Sequence, residues 1–240
     1  MTNRRRVSVC ALVWGVVLLA GCGSSSSKTT SAVSSSPVAS PSATPASVAH
    51  LQKIVLQVAD LPTGWKGTPY KTNPNHAADQ AARVKCLGAR NTDSDKVAEA
   101  HSEDFALGDA SISSSASTYR SQSDIDVDLA MMHSPKLSSC FDQLMKKTLV
   151  ATMPAGTTVA SSSIKITPGS AGGPVNVIAT GTGTIKVSVN GQQVPFYVSV
   201  AYITGPLIEA EVDTFNVGTP VPASVVNPLV ATVATRAAQG

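Results

Sequence analysis

Two long runs of alternating residues meet at Asn190-Gly191. Asn-Gly tolerates the positive φ values of a two-residue type I′ turn, so it predicts a hairpin wherever alternating runs flank it. Here the runs are Val175 to Val189 and Gln193 to Ile203. On the return run Val194, Phe196, Val198, Val200 and Tyr202 share one face, which has to be buried. Gly205-Pro206 then turns into a strand from Leu207 to Phe215. A further strand from Thr157 to Thr167 precedes the pair, joined to it by the Gly/Pro-rich turn Pro168 to Pro174. The second half is therefore an antiparallel sheet. Pro222 and Pro228 frame a terminal helix carrying Val226, Leu229, Val230 and Val233.

The first half supplies helices. Ser47 caps a helix running to about Ala59, with Leu51, Ile54, Val55 and Val58 on one face. Pro62 and Gly64 end it, and Trp65 follows as a core anchor or, less simply, a stacking residue. Residues 66–101 read as loop with one short helix from Asn75 to Val84, ending near Cys86-Leu87-Gly88. A strand from Asp104 to Tyr119 and a helix from Asp124 to Met132 come next. Ser134-Pro135 opens another helix, whose inner face holds Leu137, Cys140, Phe141, Leu144, Met145 and Thr148. The sum is an α+β domain over 47–240, a curved antiparallel sheet with helices flanking one face.

What precedes this domain is an address. Arg4, Arg5 and Arg6 lead into an apolar run from Val7 to Ala20, shorter than the roughly 20 residues of a membrane span. Leu19-Ala20-Gly21-Cys22 resembles the lipobox of bacterial lipoproteins, in which the chain is cut before the cysteine and its sulfur is acylated. Residues 1–21 are then a signal peptide, and Cys22 carries a diacyl (palmitate-type) anchor. The paired arginines leave the general and twin-arginine export routes open. Residues 22–46 are a tether of Ser, Thr, Ala and Pro that cannot bury a core. Thr29, Thr30 and Thr44 are candidate O-glycosylation sites within it.

Of 18 Lys and Arg, three belong to the signal, and the remainder equals the 15 Asp and Glu. A near-neutral mature chain argues against nucleic acid as a partner. Of the four cysteines, Cys10 leaves with the signal and Cys22 is acylated, so Cys86 and Cys140 remain to form a disulfide in an oxidising compartment.

Catalytic signals are weak. His50, His76, His101 and His133 fall in no metal-ligand spacing, and Gly169-Ser170-Ala171-Gly172 lacks the arrangement of a nucleophile elbow. Gly181-Thr182-Gly183 has no third glycine for a phosphate cradle and reads as a close backbone approach. Asp124, Asp126 and Asp128 lack the glycine and distal glutamate of a calcium loop, and helix capping by Asp124 accounts for them. Glu209, Glu211 and Asp213 share a strand face, which reads as a solvated edge that deters pairing. These features predict no catalytic residue, no metal and no cofactor.

The order of Leu61 to Trp65, Cys86 to Gly88, Ser117 to Ser121 and Ser134 to Cys140 resembles actinobacterial, especially mycobacterial, envelope lipoproteins of unassigned activity. The layout is similar to the extracellular sensor domain of a mycobacterial receptor Ser/Thr kinase and to the Mog1/PsbP-like fold. The resemblance implies a non-enzymatic module on the extracytoplasmic face of the plasma membrane, held through Cys22. Such a module takes an apolar or envelope-derived ligand in a groove between sheet and helices, near Trp65, Phe141, Phe196 and Tyr202. The competing expectation is an accessory envelope protein with a filled core that acts through protein partners.

Overall fold

The computed structural model describes residues 45–153, 156–169, 176–189 and 191–239. The signal segment, Cys22, the tether before Pro45, the turn around Ser170 and Asn190 lie outside the described residues, as does the side chain of Thr148.

Helix α1 (Val48–Ile54) starts at Ser47, whose hydroxyl accepts from the backbone N–H of His50. It stops sooner than its apolar spacing predicts. The backbone N–H of Leu56 donates to the Ser114 hydroxyl at 2.8 Å, so this donor serves the sheet and not another helical turn. Leu51, Ile54 and Val55 are buried as the spacing requires, but Val58 falls in a short 3-10 turn and is 54% exposed.

The segment read as loop holds two strands, β1 (Lys66–Thr68) and β2 (Lys96–His101), around helix α2 (His76–Leu87). Gly88 ends α2 at φ +68°, where a side chain would be strained. The single strand expected from 104 to 119 is a hairpin, β3 (Asp104–Leu107) and β4 (Ala110–Tyr119), turned at Gly108. Helices α3 (Gln122–Met132) and α4 (Leu137–Thr152) follow. Then come β5 (Thr158–Pro168), β6 (Val177–Val189), β7 (Gln192–Gly205), β8 (Ile208–Val217) and α5 (Ala223–Ala237).

All strand pairs are antiparallel, in the order β1-β3-β4-β8-β7-β6-β5, with β2 beside β4. The sheet is open. β8 is an interior strand, hydrogen-bonded to β4 on one side and β7 on the other.

Helices cover both faces of the sheet, not one. On the first, Ile203, Ile208 and Val212 pack with Leu51 of α1 and with Leu229 and Val233 of α5; Trp65 belongs to this core. On the second, Val200 and Tyr202 meet Met132 and Leu137, while Phe196 and Ile185 meet Met145. Each face is apolar along different strands, which hides the second layer from a strand-by-strand reading. At one end, α5 crosses β7 so closely that a Cβ on Gly205 would lie 2.0 Å from the Ala237 carbonyl oxygen. Arg236 of α5 forks onto both Asp60 oxygens at 2.7 and 2.8 Å. Partial burial alone would raise the Asp60 pKa, but Arg236 and the Gln57 N–H together hold it below its ordinary value.

Cys86 of α2 and Cys140 of α4 are joined, with their Cα atoms 5.8 Å apart. The bridge closes a loop across 54 positions, so replacing both cysteines by serine should lower unfolding free energy by about 4 kcal/mol. Urea denaturation of that double variant measures the loss.

Candidate functional site

The acids of β8 do not form a solvated edge. Register places Glu209, Glu211 and Asp213 on the α3/α4 face of an interior strand, opposite Ser117, Ser115 and Ser113 of β4. The sequence pattern shows that the three share a face; only the structure, which brings Arg83, Asp128 and Met132 over Glu209 and Glu211, shows that the face is covered. Their side chains are partly accessible, yet their carboxyl groups are packed in by protein. Burial is the leading cause that raises all three pKa values. Asp213 is pushed up to about 7. Glu211 is raised by burial and by Asp213, against the opposing charges of Arg83 and Lys96.

The Tyr119 hydroxyl sits between two carboxyl groups. The Tyr119 hydroxyl lies 2.7 Å from Glu209 Oε2 and 3.0 Å from Asp128 Oδ2. A phenol has one proton and cannot donate to both. Burial and the charge of Asp128 raise the Glu209 pKa well above its ordinary value. Tyr119 thus bridges the two carboxyl groups with a single hydrogen, and the two oxygens of Asp128 also accept from Thr92 at 2.8 and 3.0 Å. This is a role for Asp128 that capping does not describe. The α3 N-cap is Ser121, and Asp124 bonds back to its hydroxyl at 2.8 Å.

Two buried cations border the row. Lys96 Nζ is 3.5 Å from Glu99 and 6.0 Å from the Tyr119 ring centre, and burial lowers its pKa. Arg83 of α2 is buried, and its Nε makes no hydrogen bond among the described residues. It lines a cavity of about 30 Å³ with Glu209, Glu211 and Tyr202. His101 stacks on Tyr70 with ring centres 3.9 Å apart, and its Nε2 is 3.3 Å from Glu99. Burial, then Glu99 and Asp104, push the Tyr70 hydroxyl up to about 12. Among the described residues no cluster of His, Cys, Asp and Glu is arranged to hold a metal.

The four aromatic residues expected at a groove are not brought together. Trp65 is in the α1/α5 core, and Tyr202 packs beside Met132. Phe141 and Phe196 share a third cluster, in which Phe196 tilts against Phe215 at 5.6 Å. The cleft between α4 and the sheet is nearly filled, leaving about 50 Å³ near Phe141, Met145 and Asp213. Gly181 and Gly183 permit this closure: a Cβ on either would lie 2.8 Å from a methyl of Val200 or Val198.

Space lies on the other face. A groove of about 740 Å³ runs between the first half of α5 and strands β5 to β8, within the range of small-molecule sites. Its wall is aliphatic, with Val221, Val226 and Val230, and its floor beneath the helix continues this with Val177, Ala201 and Val212. Farther out the floor turns to hydroxyls, with Thr180, Thr182, Thr184, Ser199 and Tyr197, and Lys165 stands at the margin. Of the four apolar residues that the last helix carries, Leu229 and Val233 are fully buried, while Val226 and Val230 line the groove. The missed signal is the short row of threonines on β6, whose face no helix covers at that end.

No protein-family model matches the chain, and no curated protein matches it. Among solved structures it is similar to the extracellular domain of PknH from Mycobacterium tuberculosis, with 7% identity and a TM-score of 0.43, covering 82% of this chain and 99% of that one. Identity at this level transfers no residue roles.

The acid row gives the fold a pH dependence of definite sign. A carboxyl whose pKa is raised by folding keeps its proton in the native state where the unfolded chain has lost it. Its contribution to stability is therefore complete at acid pH and declines as pH rises. For Asp213 the decline runs from the ordinary value of 3.8 up to about 7. Asp213→Asn should flatten this part of the curve and raise the denaturation midpoint at pH 8 relative to wild type. Urea titrations at pH 4.5, 6 and 8 measure it; an unchanged slope would show that Asp213 ionises freely.

Proposed function

We propose that this protein is a lipid-anchored binding module of a bacterial envelope, tethered through Cys22 at the extracytoplasmic face and acting without catalysis. The single observation that supports ligand binding is the groove of about 740 Å³ beside α5. Its walls belong to regular elements and its outer floor is hydroxyl-bearing. A site of this kind is largely formed before its ligand arrives, which limits the ordering cost of binding. A sensor-like role is the finer form of the same reading. The accessory-protein alternative requires a filled interior, and the α3/α4 face is nearly filled; the groove on the opposite face favours the binding module.

Two measurements test the proposal. Cys22→Ala should move the protein from the membrane fraction to the soluble fraction of an exporting actinobacterial host. Native mass spectrometry of the wild-type protein from that host should show a co-purifying small molecule. Ala231→Phe, which projects a ring from α5 into the groove, should abolish that adduct while shifting Tm by no more than about 3 °C. Retention of the adduct by the filled variant would move the ligand out of the groove.

A further inference from the structure

The sheet segregates its charges. Along β5 to β8 the face under α3 and α4 carries Glu209, Glu211 and Asp213. The groove face of the same strands, followed through the register, carries Lys165 on β5 and Lys186 on β6 as its formal charges and no carboxylate. Both lysines are exposed; Lys165 lines the groove, and Lys186 lies two residues beyond the groove residue Thr184 on the same strand face. Helix α5, the other wall, has no acidic residue. Across the groove the order is aliphatic helix, hydroxyl floor, cationic margin.

From this gradient we infer that the groove takes an amphiphile with one aliphatic chain and an anionic headgroup. The inference rests on the groove being the binding site and names what fills it. The chain lies against Val221, Val226 and Val230, where burial removes its methylenes from water. The headgroup lies toward Lys165 and Lys186, with Thr182 and Thr184 able to donate hydroxyl hydrogens to it. A carbohydrate or other all-polar ligand would leave the valine wall wet. A cationic amphiphile would meet like charge, with no carboxylate on that face to receive it.

The test uses the exported chain carrying Cys22→Ser, so that no acyl group of its own competes. Binding of palmitate and of its neutral analogue hexadecanol is measured by displacement of a fluorescent fatty acid at pH 8. Palmitate should bind at least 10-fold more tightly than hexadecanol. Lys165→Glu with Lys186→Glu should erase that preference, and 0.5 M salt should narrow it. Ala231→Phe should weaken both compounds. Equal affinity for palmitate and hexadecanol, or a palmitate affinity unchanged by the double lysine variant, overturns the inference. A native adduct that is lost in Ala231→Phe but is neutral or fully polar overturns it too, while leaving the groove as the binding site. Palmitate bound equally by wild type and Ala231→Phe removes both readings together.

Discussion

The Tyr119 hydroxyl, held between Glu209 and Asp128, joins three elements far apart in sequence. Tyr119 ends β4, Glu209 begins β8 and Asp128 sits in α3. The bonds at 2.7 and 3.0 Å are of ordinary O–H···O length, and they stand in for water that burial has removed. Removing one partner would leave the others unsatisfied in a region where Arg83 and Lys96 already lack full hydrogen bonding. This bridge and the close crossing of α5 over Gly205, the pairing partner of Ile208, together hold the first residues of β8 in place. β8 in turn decides which residues of β4 and β7 face each helix layer.

Much of this architecture was legible in the chain. The alternation around Asn190-Gly191 predicted β6 and β7, and the Gly/Pro turn predicted β8. Ser47, Gly88 and the Ser134-Pro135 pair marked helix ends to within a few residues. The pairing of Cys86 with Cys140 followed from counting cysteines after the signal. Apart from the cysteine pairing, which follows by elimination, each of these is a local rule decided by residues close together in sequence. β2 was invisible because Lys96, Glu99 and His101 make a polar strand, and a polar strand looks like a loop until its neighbours are known. Gly108 was too slight a signal to divide the 104–119 run.

The candidate site was harder to read because its character is set by layering. Glu209, Glu211 and Asp213 alternate whether their strand lies at an edge or in the interior. An uncovered face would leave them solvated; burial beneath the helices raises their pKa values. In the same way Val226 and Val230 satisfy a helix periodicity, and only the position of α5 over the sheet shows that they line an opening while Leu229 and Val233 fill the core. Trp65, Phe141, Phe196 and Tyr202 were grouped by size and chemistry, yet the sheet separates Trp65 from the other three. Large aromatic residues go first to cores. The open surface is built from threonine, serine and valine, which a search for aromatic ligand contacts passes over.

The start of the described chain fixes one more relation. The backbone N–H of Ala46 donates to the Thr118 hydroxyl at 3.1 Å, and Thr118 pairs with Ile208 on the α1/α5 side of the sheet. The leading segment therefore joins the protein on the same side as the groove, not on the side of the acid row. For a chain fastened by its N-terminus to a bilayer, this is a statement about orientation. The valine-walled opening and its two lysines share a side of the sheet with the point where the chain enters, and the acid row lies on the opposite side.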